Sequence, residues 1–195
     1  WCWGFSPVIE AITRRFGEAL PVRLVLGGLR PGNISAMTAS DRAEIRAHWQ
    51  HVRDASGQPF DFSFFEREAF VYDTEPASRA VVVFRRQGMT SGLAALARIQ
   101  RAFYAENRDV TAADVLTGLA TDLGMDELGF RTLFNEAAVA EETMQDFALA
   151  QQAGIRGFPT LIAGTGDRRG YALVTNGFQP ADRLIPALTA WLEKL

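Results

Sequence analysis

A single cysteine, Cys2, and only two histidines, His48 and His51, stand in this chain of 195 residues. One cysteine cannot build an internal disulfide framework among these residues, and it suits a reducing compartment, where thiols are more often catalytic than structural. The histidines lie three apart on a charged stretch, with no third ligand and no glutamate in register, so they fit a solvated helix face better than a zinc site. No basic block occurs and the net charge is −3, which argues against nucleic acid or an anionic membrane as partner. No apolar run approaches the roughly 18 residues of a membrane-spanning helix. There is no internal repeat and no Ser-His-Asp arrangement that spacing can support. Gly164-Thr165-Gly166-Asp167 lacks the Gly-Lys-Ser/Thr ending of a P-loop and reads as a hairpin turn.

What is present belongs to an ordinary globular chain, 48% hydrophobic and 22% charged, long enough for one core or one core with a sizeable insertion. Val8, Ile9, Ile12 and Phe16 make an amphipathic helix closed by Gly17. Ser6-Pro7 could cap it, or Pro7 could lie inside a helix that starts near Cys2. Pro21 to Leu26 is a β-branched run ended by Gly27-Gly28, hence a buried strand. Helix then strand is half of a βαβ unit, whose other strand would precede Trp1.

From about Asn33 to Gly154 the apolar period is helical. Thr38 with Asp41, and Thr111 with Asp114, have the form of capping boxes. Pro76 can open a helix through Arg86, although Val81 to Phe84 would also suit a strand. The aromatic set Phe60, Phe62, Phe64, Phe65, Phe70 and Tyr72 reads as core, or in part as the wall of an apolar groove. Beyond Gly154 the texture changes. Thr160–Ala163 and Tyr171–Val174 form a hairpin, Asn176-Gly177 a turn, and Pro180 opens a last helix in which Pro186 is a misfit.

Two stretches could carry chemistry. Cys2 opens a helix, where free N–H groups and the macrodipole favour a thiolate, yet a lone cysteine is commonly an inert buried residue. Phe158-Pro159 leads straight into a strand, either as a tolerated first residue or as a cis bond, which only X-Pro reaches cheaply.

In order, Trp1-Cys2-Trp3-Gly4-Phe5, Gly27-Gly28-Leu29 with Pro31-Gly32, Tyr72-Asp73-Thr74-Glu75-Pro76 with Arg79-Ala80-Val81, and Gly157-Phe158-Pro159-Thr160 span nearly the whole chain. The set resembles the DsbA-like family of the thioredoxin superfamily, and within it the FrnE-like branch related to 2-hydroxychromene-2-carboxylate isomerases. The resemblance implies an α/β thioredoxin fold interrupted by an all-helical insertion, with residues 1–32 and 155–195 in the thioredoxin-like domain and 33–154 in the insertion. It implies a Cys-x-Trp-Cys site in which Cys2 is the second, resolving cysteine and Pro159 the cis-proline beside it. The attacking cysteine would lie two residues before Trp1, so the natural chain is expected to continue upstream by on the order of ten residues, supplying that thiol and a buried strand.

Trp1 and Trp3 would shield the sulfurs and offer an apolar contact surface, with core packing an equal reading for Trp3. Phe158 would present its backbone to substrate, with Thr160 starting the strand behind. The implied activity is thiol–disulfide exchange on protein or peptide substrates. It needs no bound cofactor, takes glutathione as a co-substrate, and belongs in the cytoplasm. The alternatives are a glutathione-dependent isomerase or transferase, which would carry serine in place of the first cysteine, and a non-catalytic thioredoxin-fold binding module.

Overall fold

The computed structural model describes residues 1–166 and 170–194; Asp167, assigned above to the hairpin turn, lies outside them. In chain order the elements are α1 (Cys2–Phe16), α2 (Ala39–Ser56), α3 (Glu75–Arg85), α4 (Met89–Tyr104), α5 (Ala113–Asp122), α6 (Glu127–Phe134), α7 (Ala137–Gln152), β1 (Thr160–Gly164), β2 (Tyr171–Asn176) and α8 (Ala181–Leu192), with short 3-10 turns at Gly17–Ala19 and Phe62–Glu66. The fold is mostly helical, and its only sheet among the described residues is the antiparallel β1–β2 pair. None of its described helices is long and apolar enough to cross a membrane.

Two apolar clusters organise the chain. The smaller one is made by Phe5, Val8, Ile12 and Phe16 of α1 against Leu184 and Leu188 of α8, with Leu161, Val174 and Phe178 packed around them. These spacings of three and four place the residues on one helix face. The larger cluster gathers α2 to α7 around Phe64, Val82, Leu116 and Phe130. Val81, Val82, Val83 and Phe84 are all nearly inaccessible, which settles α3 as a helix surrounded by its neighbours α4 and α7 rather than a strand.

Pro7 does lie inside α1, which begins at Cys2. A proline cannot donate to the carbonyl four residues back. That carbonyl, on Trp3, accepts instead from the Gln58 side-chain amide at 3.2 Å, while the Trp3 indole N–H donates to Pro59 O at 3.0 Å. Gly4 lets α2 close in, since a Cβ there would come within 3.0 Å of Val52 and 3.1 Å of Ser56. One helix-breaking residue thus frees the group that ties α1 to the helical block.

The strand expected over 21–26 is not formed: that segment pairs with no other strand among the described residues. Its backbone groups are taken by side chains from far along the chain. Leu26 N–H donates to the Asp146 carboxylate at 2.9 Å, and Leu24 O accepts from Arg85 at 3.0 Å. Arg85 also pairs with Asp146 itself and with Glu142. Leu24 and Leu26 accordingly pack with the larger cluster.

The Thr38 box forms, with Asp41 N–H to the Thr38 hydroxyl at 3.1 Å and Thr38 N–H to the Asp41 carboxylate at 2.8 Å. The Thr111 box does not. Asp109 captures both the N–H and the hydroxyl of Thr111, Asp114 turns to Arg131, and α5 starts without a side-chain cap.

Candidate active site

Cys2 is the first residue of α1, with Trp1 in the cap position and no side chain capping the helix. A helix start lowers a thiol pKa, whereas loss of water raises it. At Cys2 burial wins, and the thiol is pushed up. The residue as a whole is only partly covered. Trp1 stays 39% exposed, and Trp3 is buried at 6% by its links to Gln58 and Pro59. Trp3 is thus enclosed between α1 and the Gln58-Pro59 segment.

Phe158-Pro159 is a cis peptide bond, placed immediately before β1. The loop around it is fixed from three directions. Pro159 O accepts from Gly177 N–H at 2.8 Å, and the Thr160 hydroxyl donates to Gly157 O at 2.8 Å. The Phe158 ring packs against bare backbone at Gly27, where a Cβ would fall 2.1 Å from ring carbons. Only glycine permits that approach. Phe158's own N–H and C=O enter no hydrogen bond among the described residues. They remain available to an incoming extended chain.

The start of α1 and the Phe158-Pro159 loop converge on Gly177-Phe178. The Trp1 ring lies 5.9 Å from that of Phe178, and Phe5 meets Phe178 edge-on at 6.5 Å, while the preceding residue holds Pro159. Two phenols of the helical block lie within the electrostatic range of the thiol. The hydroxyls of Tyr72 and Tyr104 are 3.3 Å apart. Burial raises both phenols, and a negative charge on Cys2 would add to that push. The aromatic set of the sequence is core around Trp49 and Phe103, with Tyr72 stacked on Phe103 at 5.5 Å.

Sequence reasoning brought Cys2, Trp1, Phe158, Pro159 and Thr160 to notice and missed Phe178, Gly27 and Tyr104. Phe178 follows a plain Asn-Gly turn, and nothing local marks it as the meeting point. Gly27 reads as the end of a strand. Tyr104 closes α4 as an ordinary amphipathic residue. No group of three His, Cys, Asp or Glu side chains among the described residues is arranged to hold a metal, and His48 and His51 sit exposed on α2.

Comparison with known proteins bears on the same residues. The family profile of the DSBA-like thioredoxin domain matches residues 1–188. A crystal structure of a candidate protein disulfide isomerase from Nitrosomonas europaea is 36% identical with a TM-score of 0.89, covering 100% of this chain and 92% of that one. The cytosolic disulfide reductase DsbM from Pseudomonas aeruginosa is 26% identical with a TM-score of 0.82, covering 100% of this chain and 94% of its own, and has also been solved with GSH. Among curated proteins, the ClpXP adapter protein SpxH of Bacillus subtilis is 21% identical over 82% of this chain and 53% of its own length. The chain thus spans about half the length of the curated relatives it matches.

Proposed function

The chain belongs to the DSBA-like thioredoxin domain family, and on that premise we propose that it exchanges thiols and disulfides on protein or peptide substrates, with glutathione as co-substrate and without a bound cofactor. The observation that supports the reading is the convergence of Trp1 and Phe5, which flank Cys2 at the start of α1, and the Phe158-Pro159 loop on Gly177-Phe178. Its likeness to a disulfide reductase solved with GSH supports the glutathione arm, and the cytosolic setting of that reductase supports a cytoplasmic one.

In this reading a thiolate two residues before Trp1 attacks the substrate disulfide. One substrate sulfur leaves as thiolate and takes up a proton, and the other is held as a mixed disulfide. Cys2 then loses its proton and attacks that bond, releasing the second substrate thiol and leaving an internal disulfide. Two glutathione molecules reduce the pair again and leave as glutathione disulfide. A desolvated, raised thiol suits the second position, because it is held as thiol until the mixed disulfide lies against it. The free N–H and C=O of Phe158 would pair with the substrate backbone, and Trp1 would offer a flat apolar face beside them. An isomerase that activates glutathione with serine has no use for a thiol at position 2.

The test has two parts. In a protein carrying the preceding thiol, oxidised glutathione should close the internal disulfide with release of two glutathione thiols and no retained adduct, seen by intact mass. Cys2→Ser should instead keep one glutathione on the preceding thiol and lose glutathione-driven reduction of insulin. Unchanged insulin reduction in the Cys2→Ser protein would sink the reading.

A further inference from the structure

Segment 21–26, which pairs with no strand among the described residues, borders a cleft of about 420 Å³ that reaches the start of α4 and α7. None of the lining residues belongs to the site around Cys2 and Phe158. Those from α7 recur at spacings of three and four, so a single helix face makes the far wall. Leu24, Met89 and the exposed Leu149 give the cleft an apolar side. Leu24 N–H donates to the Met89 sulfur at 3.2 Å, and Leu26 N–H donates to the Asp146 carboxylate at 2.9 Å. Donors two residues apart on one flank mark an extended backbone, so the chain from Arg23 to Leu26 covers about 10 Å, at roughly 3.3 Å per residue.

Most of the charge in this wall is already matched. Arg85 meets Asp146 and one oxygen of Glu142, and Arg86 takes the other oxygen of Glu142. Asp146 is buried, yet both of its bonds among the described residues fall on Oδ2, from the Leu26 N–H and the Arg85 guanidinium. Oδ1 accepts from neither. No enclosed side-chain oxygen among the described residues lacks a partner, so Oδ1 is not sealed in, and it opens into the cleft that Asp146 lines. Because Arg85 matches the charge of Asp146, a neutral O–H suits this oxygen better than an ammonium group. Arg23 stands at the outer end, exposed, and its guanidinium enters no ion pair or hydrogen bond among the described residues.

We propose that the cleft binds a medium-chain hydroxycarboxylate. The hydroxyl donates to Asp146 Oδ1, the carboxylate pairs with Arg23, and the methylene chain lies on Leu24, Met89 and Leu149. A buried acceptor and an outer cation about 10 Å apart, with apolar side chains between, fit a molecule that carries a donor and a single negative charge at its two ends. Binding is non-covalent and uses no thiol, so the inference goes beyond the exchange reading and stands without it.

The probe is ω-hydroxyoctanoate, which when extended reaches from one end of that span to the other. Titration calorimetry on the full chain compares it with ω-methoxyoctanoate, which lacks the donor, and with its own methyl ester, which lacks the charge. The native protein should bind the probe about tenfold tighter than the methoxy acid, the size of one hydrogen bond to a charged acceptor. It should bind the probe about threefold tighter than the ester, a smaller factor because Arg23 is open to water. Arg23→Gln should abolish the second preference and keep the first. Leu149→Trp, at an exposed position of α7, should fill the cleft and remove binding of all three. In amide NMR spectra the Leu24 and Leu26 signals should move as the probe is added. No detectable binding, equal binding of the hydroxy and methoxy acids, an acid-over-ester preference that survives in Arg23→Gln, or saturation without movement of those two signals overturns the proposal. None of these readouts involves insulin reduction, so this proposal and the exchange reading fall separately.

Discussion

Asp146 is a buried carboxylate, 7% exposed, whose partners are a backbone N–H and a guanidinium. Removing one partner of such a set leaves the other stranded, which costs more than the pair contributes. Asp146→Ala should lower stability by about 3–5 kcal/mol in urea unfolding, and Asp146→Asn by clearly less because it can still accept from Leu26. At Cys2 the decisive quantity is the loss of water around sulfur. The rate of alkylation by iodoacetamide should rise with pH to a midpoint above the ordinary thiol value, since burial raises the group. A midpoint below that value would mean that the helix start governs instead.

At the scale of elements, Pro7 and Gln58 are coupled through one carbonyl. In the native chain Gln58 is the partner of Trp3 O, whereas Pro7→Ala would supply a helix N–H to the same oxygen. Gln58→Ala should therefore cost less in the Pro7→Ala background, by about 0.5–1.5 kcal/mol in a double-mutant cycle. Gly27→Ala places a methyl inside the Phe158 ring, and the loop bearing Pro159 must move; a loss of about 1–3 kcal/mol, with weaker peptide binding, is expected.

These elements show how far a sequence can be read. Where partners are local, the reading holds: Thr38 finds Asp41 three residues on, and Asp126 caps α6 through Gly129 N–H. Thr111 fails by the same logic, because Asp109 is closer still. The run over 21–26 has a strand's composition, but its hydrogen bonds go to Asp146 and Arg85, 120 and 61 residues away. Within the site, each half was visible from its own motif. The residues that join the halves were not, since Phe178 and Tyr104 gain their importance only from what folding sets beside them.

At the scale of the whole molecule, we propose that the chain divides into 1–32 with 155–195 and 33–154, with Leu24 and Leu26 of the first part packing into the larger apolar cluster of the second. The network of Arg85, Arg86, Glu142 and Asp146 braces α3 against α7 on the larger side. Burial pushes Glu142 up, but hydrogen bonds and charge from Arg85 and Arg86 outweigh it and hold the group low. A carboxylate lowered on folding contributes stability above its unfolded value, and that contribution disappears as pH falls through the lowered one. Urea midpoints should drop as the buffer is taken below about 4.3, the ordinary glutamate value, and Glu142→Gln should flatten that slope.

The placement of Trp1 has an optical consequence. Its indole is next to Cys2 in the chain, is open to water, and leans on Phe178, whereas Trp3 and Trp49 are enclosed. Thiols quench indole emission at short range, so the glow of this one residue should brighten or dim as the sulfur is capped and released, giving the protein an intrinsic gauge of its own oxidation state.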